Sequence, residues 1–425
     1  MHYPIAWQSG QEHKRGTMRR LFLLAPAAML LVAAGAGFAT HAAAASVYFV
    51  SPFGDDTDSC TSTATACATV TQAIADSSPG DTIRLAAGAY VEQVVLTSSR
   101  IIVGAGQDES TIEAPASLAP NTQAQPQNAV VDISGSSTTV TMSSLTVAGP
   151  GGLSVSGCTD DGTSLDKGID VHGNATLNLS SAAVRNIYNR ANQGCQRGDG
   201  ISVGSPFFGA SPPDVGHAAL SGVTISVYQK NGIAVRGAGS TLNMTGGRVT
   251  NNPSKYIASN GIEVVDSAMG VVSGTNVSGN ECNVPTVCGN DPFTQTESDG
   301  VLSFGAGSGT KFTGMTVHGN DMGIYTDDGV TATGDNAGGN RYVGIYVDVD
   351  ATGAVVSNDT ASRVLGVGQY GIITVSGNSN TFSHDTARMN SAFDLDAAIS
   401  GSDTNSYSSN HSTHASPSKA YWHST

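Results

Sequence analysis

The stretch DMGIYTDDGVTATGDNAGGNRYVGIYVDVD, residues 321–350, contains one short phrase twice, first from Gly323 and again from Gly344. Related phrases occur elsewhere in the chain, each a glycine followed by Ile or Val. They are GIDV at Gly168, GISV at Gly200, GIAV at Gly232, GIEV at Gly261, GVLS at Gly300 and GIIT at Gly371. A unit that recurs in this way is typical of a solenoid, in which each unit packs on the one before it.

The phrase alternates between inward and outward side chains, as a β-strand does. In the copy at Gly344, Ile345 and Val347 face the core, whereas Tyr346 and Asp348 face outward. The most closely spaced copies are about 21–23 residues apart, which suits three short strands and three bends. We therefore predict an all-β fold, a right-handed parallel β-helix with about 21–23 residues per bare coil. Asparagines at the bends are expected to form a turn ladder: Asn186, Asn231, Asn251, Asn280, Asn320 and Asn340.

Residues 1–45 have the pattern of an upstream extension followed by a secretory signal. After Met18 come two arginines, an apolar run over residues 21–34 and small residues up to a cleavage site. The start of translation stays open between Met1 and Met18. The pattern predicts bacterial export and a secreted, extracellular protein that is not held in the membrane after the signal is removed.

The charge of the chain is strongly acidic. The formal net charge is −15, and loss of the leader, with four basic residues and one acidic residue, makes it −18. Nucleic-acid binding requires a basic surface, so this composition excludes it as a function. The abundance of Gly, Ser, Thr and Val agrees with a turn-rich β protein.

All six cysteines follow the leader, and an even number in an exported chain indicates disulfides. The proximity of two pairs in the sequence suggests Cys60–Cys67 and Cys282–Cys288, which leaves Cys158 with Cys195. No Cys/His cluster has the spacing of a zinc site, and no metal site or cofactor is predicted from these residues.

Residues 46–114 are expected to form the N-terminal cap and first coils. The segment contains a short helix, ATVTQAIADSS from Ala68, and then SPGDTIRLAAGAYVEQVVLTSSRIIVGAGQDESTIEA. It resembles the N-terminal region of secreted bacterial right-handed β-helix proteins of the pectin-lyase-like superfamily. The resemblance implies one β-helix domain over residues 46–400, with residues 401–425 as a polar tail or end cap, and a saccharide groove along one sheet and its flanking loops.

Four coils carry extra length, and this length is where function is expected. Three insertions precede a Gly-Ile/Val strand and one follows such a strand, so they should rise as walls beside one sheet face. Neutral length drift in surface loops is the alternative explanation. The insertions are Gln193–Gly198, Ser205–His217, Asn251–Ser259 and Glu281–Ser298.

The residues that point outward on this face are acids, aromatic residues and a few cations, a mixture that suits sugar rings. The candidate catalytic residues are Asp299, Asp321, Glu263 and Asp199. The candidate substrate-binding residues are Asp170, His172, Lys230, Arg236, Tyr325, Asp327, Tyr346 and Asp348. Each of them could instead be a solvated surface residue or a turn aspartate.

Asp299 and Asp321 are the most specific pair, because each stands before a Gly-Ile/Val strand in successive coils. Stacked coils would bring their backbones to about 5 Å, and two carboxylates can act as general acid and general base on a glycosidic bond. The spacing is similar to the acidic motifs of polygalacturonases. The match is partial: SDG replaces Asn-Thr-Asp, one acid stands where two are expected, and the His and the Arg-Ile-Lys motif of that family are missing.

The predicted function is binding and cleavage of an extracellular polysaccharide, by hydrolysis or by elimination. A non-enzymatic glycan-binding or structural β-helix and a uronate epimerase remain as alternatives. Asp327 stacked over Asp348 could be screened by Ca²⁺ or by water. The identity of the polysaccharide and the oligomeric state are left open by the sequence.

Overall fold

The protein is a parallel β-helix, as predicted. The computed structural model describes residues 45–149, 165–189, 197–251, 258–282, 288, 298–349, 351–364, 370–375, 378–398 and 404–416. Among these residues the strands form three long parallel sheets and a two-stranded fourth. Each coil contributes a strand to successive sheets, and Ile324 pairs with Val301 in the coil before it and Ile345 in the coil after it. These pairings agree with the predicted bare period.

Sheet 1 is the longest, with 13 strands among the described residues. It starts beside the N-terminal cap and continues to the last described coil. Its strands are β1 Val47–Val50, β2 Thr82–Leu85, β5 Arg100–Val103, β8 Thr139–Ser143, β11 Ala175–Ser180, β14 Gly216–Ser221, β17 Thr241–Thr245, β20 Met269–Ser273, β23 Lys311–Thr313, β26 Thr331–Thr333, β28 Val355–Ser357, β30 Thr381–Ser383 and β33 Ser406–Ser408.

Sheet 2 contains every described copy of the Gly-Ile/Val phrase and is the sheet that positions the functional residues. It has 12 strands among the described residues. They are β4 Val94–Leu96, β7 Ala129–Ser134, β10 Lys167–His172, β13 Asp199–Gly204, β16 Asn231–Arg236, β19 Asn260–Val265, β22 Asp299–Phe304, β25 Met322–Thr326, β27 Val343–Val347, β29 Tyr370–Val375, β32 Phe393–Ala398 and β35 Ala415–Ser416.

Sheet 3 closes each coil on its third side. It has eight described strands: β3 Gly88–Val91, β6 Ser110–Glu113, β9 Thr146–Ala148, β12 Ala183–Ile187, β15 Thr224–Tyr228, β18 Arg248–Thr250, β21 Asn276–Ser278 and β24 Thr316–His318. The two-stranded sheet pairs β31 Thr386–Ala387 with β34 His411–Ser412.

Aliphatic side chains from the three sheets fill the interior. Ile201, Ile233 and Ile262 occupy the same inward position in successive coils of sheet 2 and are fully buried. The glycine of the phrase is required by close packing at the corner with sheet 3. A Cβ atom at Gly300, for example, would lie 2.4 Å from Cγ1 of Val317. The phrase recurs because each coil needs an inward aliphatic side chain and a glycine at the same position of the core.

A short helix, α1 Val70–Asp76, covers the N-terminal end of the stack as predicted. It packs on β1, β2 and β4, and β1 and β4 are the terminal strands of their sheets. Thr69 caps the helix, and the carboxylate of Glu92 accepts hydrogen bonds from the first two backbone N–H groups. A 3-10 helix at Thr63–Thr65 precedes it, within the loop closed by the predicted Cys60–Cys67 disulfide.

Two ladders of side chains line the bends. The first contains three of the predicted asparagines: Asn280 N–H donates to Asn320 Oδ1 and Asn320 N–H donates to Asn340 Oδ1. The prediction is wrong for Asn231, which lies in β16 and donates to two carboxylates of sheet 2. The second ladder was not predicted and consists of three aspartates. Asp335 N–H donates to Asp359, whose own N–H donates to Asp385. Burial, together with repulsion between neighbours, raises the pKa values of Asp359 and Asp385 to about 8 and about 9.

The coils continue beyond residue 400, where the sequence placed the end of the domain. Strands β33, β34 and β35 pair in parallel with β30, β31 and β32 of the coil before. Residues 404–416 therefore form a further coil, and not only a tail. Of the predicted leader, residues 1–44 lie outside the described residues. Among the residues that are described, no helix has the length and apolar character needed to cross a membrane.

Candidate functional site

The outer face of sheet 2 carries the predicted site residues in regular ladders. One ladder precedes the glycines: Lys167 pairs with Asp199, and Asn231 pairs with Asn260. A second ladder stands two residues after the glycines and contains Asp132, Asp170, Ser202, Ala234, Glu263, Leu302, Tyr325 and Tyr346. The prediction that these residues share one sheet and stand at outward positions of its strands is therefore confirmed.

The first half of this face, from β7 to β19, is not an open groove. Asp199, Arg236 and Glu263 are each at most 5% exposed and belong to one network. Asp199 Oδ2 accepts from Lys167 Nζ at 2.6 Å and from Arg236 Nη1 at 2.9 Å, and Glu263 Oε2 accepts from Arg236 Nη2 at 2.6 Å. Asn231 Nδ2 donates to both carboxylates. The expectation that these three residues line an open groove is wrong.

The electrostatics of this network explain its stability. Burial by itself would raise the pKa of Asp199, but Arg236 and Lys167 outweigh burial and hold that pKa well below its usual range. Asp199 therefore stays ionised and paired at neutral pH. A carboxylate in this state can neither donate a proton nor easily accept one, so it is suited to holding the coils together.

The insertion after β13 covers this half of the face. The carbonyl of Pro206 accepts from Lys167 Nζ at 3.0 Å and from Arg236 Nη1 at 3.3 Å. Farther along the insertion, Phe208 lies against Phe304, with ring centroids 6.2 Å apart. The insertion was predicted to form a wall beside the face. Its contacts show that it folds over the face, because the carbonyl of Pro206 accepts hydrogen bonds from the buried cations Lys167 and Arg236.

Asp170 and His172 lie at the N-terminal end of the covered half. His172 Nε2 lies 3.0 Å from Asp132 Oδ1, and Asn121 Nδ2 donates to Asp170 Oδ2 at 2.9 Å. His172 Nδ1 faces Asp214 Oδ2 at 3.6 Å. Asp170 and His172 are 0% and 3% exposed, so they are enclosed by neighbouring side chains rather than arrayed along a groove.

The predicted stacking of Asp299 on Asp321 is wrong. Asp299 pairs across the sheet with Met322, so Asp321 is offset by one residue. The carboxylate of Asp321 accepts hydrogen bonds from the backbone N–H groups of Cys282 at 2.8 Å and Ser298 at 3.1 Å, and Arg341 Nη1 lies 3.3 Å away. Asp321 therefore anchors the ends of the insertion before β22. Burial still raises its pKa, to about 6.

Asp299, at the start of β22, differs from the ion-paired acids Asp199 and Glu263 of the neighbouring network. It is 4% exposed, and within the described residues its Oδ1 has no hydrogen-bond partner. Burial, reinforced by repulsion from Asp321 and opposed by Lys230, raises its pKa to about 8. At neutral pH the carboxyl group consequently keeps its proton. Lys230 itself donates to the carbonyl of Ala258 at 2.6 Å, and burial lowers its pKa.

Beyond Asp299 the outer face becomes aromatic and partly exposed. Tyr325 and Tyr346 meet edge to face, with centroids 5.0 Å apart, and both phenol groups interact electrostatically with Asp348. Tyr346 packs with Met322 and other apolar residues in a cluster separate from the main core. We call this half, from β22 to β29, the open half because Leu302, Phe304 and Tyr325 are partly exposed on it, although Met322 and Tyr346 are buried among them.

Asp327 has a local role. Its Oδ2 accepts from Gly305 N–H at 2.9 Å and its Oδ1 accepts from Asp328 N–H at 2.7 Å. Asp348 likewise accepts from the N–H of Val349. These bonds fit the turn-aspartate alternative, and a Ca²⁺ ion between Asp327 and Asp348 stays a prediction.

The predicted Cys282–Cys288 disulfide is present beside the site. Its first cysteine gives the backbone N–H that binds Asp321. The predicted pair Cys158–Cys195 lies outside the described residues. Sequence reasoning missed Asp132, because its strand, AVVDIS, lacks the glycine that marks the later copies. The alternation of Val131, Asp132 and Ile133 could have revealed it.

Comparison with solved structures supports the fold. A GH136 lacto-N-biosidase from Eubacterium ramulus superposes with a TM-score of 0.54 at 12% identity, over 86% of this chain and 67% of that chain. For the A-module of the mannuronan C-5 epimerase AlgE4 from Azotobacter vinelandii, the TM-score is 0.46 at 13% identity, over 80% and 91% of the chains. No protein-family model and no curated protein matches the sequence. An identity of 12% shows a shared fold and does not transfer an activity.

Proposed function

We propose that the protein is a secreted carbohydrate-active enzyme that binds an extracellular polysaccharide along the open half of sheet 2 and cleaves it with Asp299 as the proton donor. One observation carries the proposal: a buried carboxyl group without an ion pair among the described residues stands at the edge of an aromatic surface. A lacto-N-biosidase has the same fold, which agrees with a role on carbohydrate.

The proton on Asp299 is the useful chemical feature. Cleavage of a glycosidic bond requires a proton on the departing oxygen, and a carboxyl group with a pKa near the working pH supplies it well. A pKa of about 8 keeps Asp299 protonated before the reaction. Asp199 stands on the same ladder, but its ion pairs remove this capacity.

The aromatic pair provides the binding surface. Sugar rings present apolar faces that pack on aromatic side chains, and Tyr325 is partly exposed beside the buried ring of Tyr346. Phe304, also on the outer face, extends the surface toward Phe208. The aromatic residues and Asp299 lie on adjacent strands, so a bound chain would place a glycosidic oxygen near the carboxyl group.

Asp348 is the second carboxylate that the open half offers. It interacts with the phenol groups of Tyr325 and Tyr346. The phenol of Tyr325 interacts electrostatically with both Asp348 and Asp299. We assign Asp348 the role of base or nucleophile, which the sequence had given to Asp321.

The proposal is tested by measuring products from a panel of neutral and acidic polysaccharides. Release of reducing ends shows cleavage. Unsaturated products beside them indicate elimination, and their absence indicates hydrolysis. D299N should lower kcat/KM by about 10²–10⁴-fold on a natural substrate, and by much less on an aryl glycoside whose leaving group needs no proton. The matched control is D108N, since Asp108 is highly exposed and remote in the coil order.

Chemical rescue tests Asp348. If Asp348 is the nucleophile, azide should restore part of the activity of D348N on an aryl glycoside and give a glycosyl azide of inverted configuration, whereas a glycosyl azide formed by D299N should keep the configuration of the substrate. Full natural activity in D299N would overturn the proposal. Binding without any product across the panel would favour the alternative, a glycan-binding β-helix, which the backbone-bound state of Asp321 also fits.

A further inference from the structure

Three potential metal ligands meet at the N-terminal end of the covered half. One ligand atom from each of Asp132, Asp170 and His172 lies within 4.8 Å of the others. Asp132 and Asp170 pair directly across β7 and β10, so their carboxylates stack on the same face, and His172 follows on that face two residues later. All three side chains are buried.

The bonds within this cluster leave a place for a further group. Asp170 is 0% exposed, and its Oδ2 accepts from Asn121. Its Oδ1 has no hydrogen-bond partner within the described residues. The hydroxyl of Ser202 faces it from the paired strand, close enough to interact but without hydrogen-bond geometry. A fully buried carboxylate oxygen without a partner is costly unless a ligand occupies the position.

The cluster holds more carboxylates than cationic side chains, since three carboxylates surround one imidazole. The carboxylates of Asp132 and Asp170 are direct neighbours, and Asp214 faces the same imidazole. Like charges directly opposite each other on a sheet are unfavourable. The nearest lysine on the same strand, Lys167, is engaged by Asp199 at 2.6 Å and by Pro206. Lys167 also interacts electrostatically with Asp170, but its direct ion pair is with Asp199.

The orientation of His172 suits a metal ligand. Nδ1 faces the Asp214 carboxylate and Nε2 faces Asp132. Ligating histidines ordinarily give the ring N–H to a carboxylate and present the other nitrogen to the ion. Asp214 is 27% exposed, so an ion can reach the cluster from that side.

We propose that Asp132, Asp170 and His172 form a binding site for one divalent transition-metal ion, with Asp214 orienting the imidazole. Two carboxylates and an imidazole favour Zn²⁺ or Mn²⁺ over Ca²⁺, which takes oxygen ligands. Ligand bonds of about 2.0–2.2 Å place neighbouring ligand atoms about 3–3.6 Å apart, a separation that His172 Nε2 and Asp132 Oδ1 already have at 3.0 Å, and the third ligand must move in to meet it. The ion joins two neighbouring coils, and through Asn121 it also joins them to the segment that covers them.

The test is metal binding by the whole exported chain after chelation and dialysis. Zn²⁺ or Mn²⁺ should bind at about one ion per chain by mass spectrometry and raise the Tm, because an ion bound only in the folded state stabilises that state. D170N and H172Q should lose both effects. H217Q is the matched control, since His217 stands on sheet 1 and bonds to Thr241 and Asn174.

A spectroscopic measurement keeps the test independent of the variants. Pulsed electron paramagnetic resonance of Mn²⁺ bound to unaltered protein should show coupling to ¹⁵N when the histidines are labelled. Absence of stoichiometric binding, absence of histidine coupling, or equal binding by D170N and H172Q would each overturn the site. Displacement of the ion by equimolar Ca²⁺ would overturn the assigned metal class.

Discussion

Asp199 and Asp299 occupy the same ladder of sheet 2, and the structure makes them chemically opposite. Asp199 lies under the insertion after β13, between Lys167 and Arg236, and its pKa is held far below the usual range. Asp299 lies where those cations end, and burial raises its pKa to about 8. The strand position is the same, so the difference comes from the partners that reach each carboxylate. In a solenoid, the coil sets where a side chain points, and the neighbours outside the sheet set its chemistry.

The same substitution at these two positions gives the largest expected contrast. D199N leaves Lys167 and Arg236 without their shared carboxylate, so it should lower the free energy of unfolding by about 3–5 kcal/mol. D299N replaces a protonated carboxyl group by an isosteric amide and should not lower that free energy at neutral pH, because only the wild type loses stability when Asp299 ionises in the unfolded chain. Urea unfolding at neutral pH measures both. Equal losses would show that the two halves of the face do not differ as described.

The second largest contrast between Asp199 and Asp299 is expected in the pH dependence of the free energy of unfolding. Because the pKa of Asp299 is raised in the folded state, its contribution to the free energy of unfolding is greatest below the unfolded pKa of about 3.9. That contribution is lost as the pH rises toward about 8. D299N should therefore be more stable relative to the wild type at pH 8 than at pH 4. Asp199 has the opposite sign, with stability lost as pH falls through its depressed pKa. D108N serves as the reference, and an unchanged difference between D299N and wild type across this range would contradict the assignment.

Substitution of an aromatic residue in the open half should weaken polysaccharide binding. Y325A removes the partly exposed ring and should weaken polysaccharide affinity by about tenfold, equivalent to about 1.4 kcal/mol. The control is F53A, because Phe53 is 97% exposed in the N-terminal cap, outside the proposed surface. Calorimetry on an inactive D299N background measures binding without turnover. Equal affinities of Y325A and F53A would place the sugar elsewhere.

The smallest expected effect concerns the aspartate ladder on the bends. Repulsion from Asp359 raises the pKa of Asp385 beyond the effect of burial, to about 9. D385N keeps an oxygen acceptor for the N–H of Asp359 and removes the charge that forms at high pH. We expect it to raise the free energy of unfolding by about 1 kcal/mol near pH 9 and to leave it nearly unchanged near pH 4. Thermal unfolding at the two pH values checks this, and stabilisation at the acidic value alone would refute it.

The predicted site was wrong for two reasons: Asp321 is offset by one residue in the strand register, and an insertion buries part of the outer face. Asp321 stands one position before the ladder that holds Asp299. A shift of one residue along a strand turns the side chain to the opposite face of the sheet. Arg236 and Glu263 point outward as predicted, but they are buried because the insertion after β13 lies over them. The length of an insertion indicates that a loop exists, and it carries no information on the direction in which the loop folds.

The sequence by itself determined the parallel β-helix, the sheet that carries the Gly-Ile/Val strands, the outward positions on that sheet and two of the disulfides. These features follow from local alternation and a repeating core, both of which are visible as a period in the chain. Only the tertiary structure decided which outward acids are paired. Asp199 meets Arg236 from 37 residues away, and both of its cationic partners also bind a cover segment that follows no period. Ionisation depends on these non-repeating contacts, so the chemistry of the face could not be read from the pattern that built it.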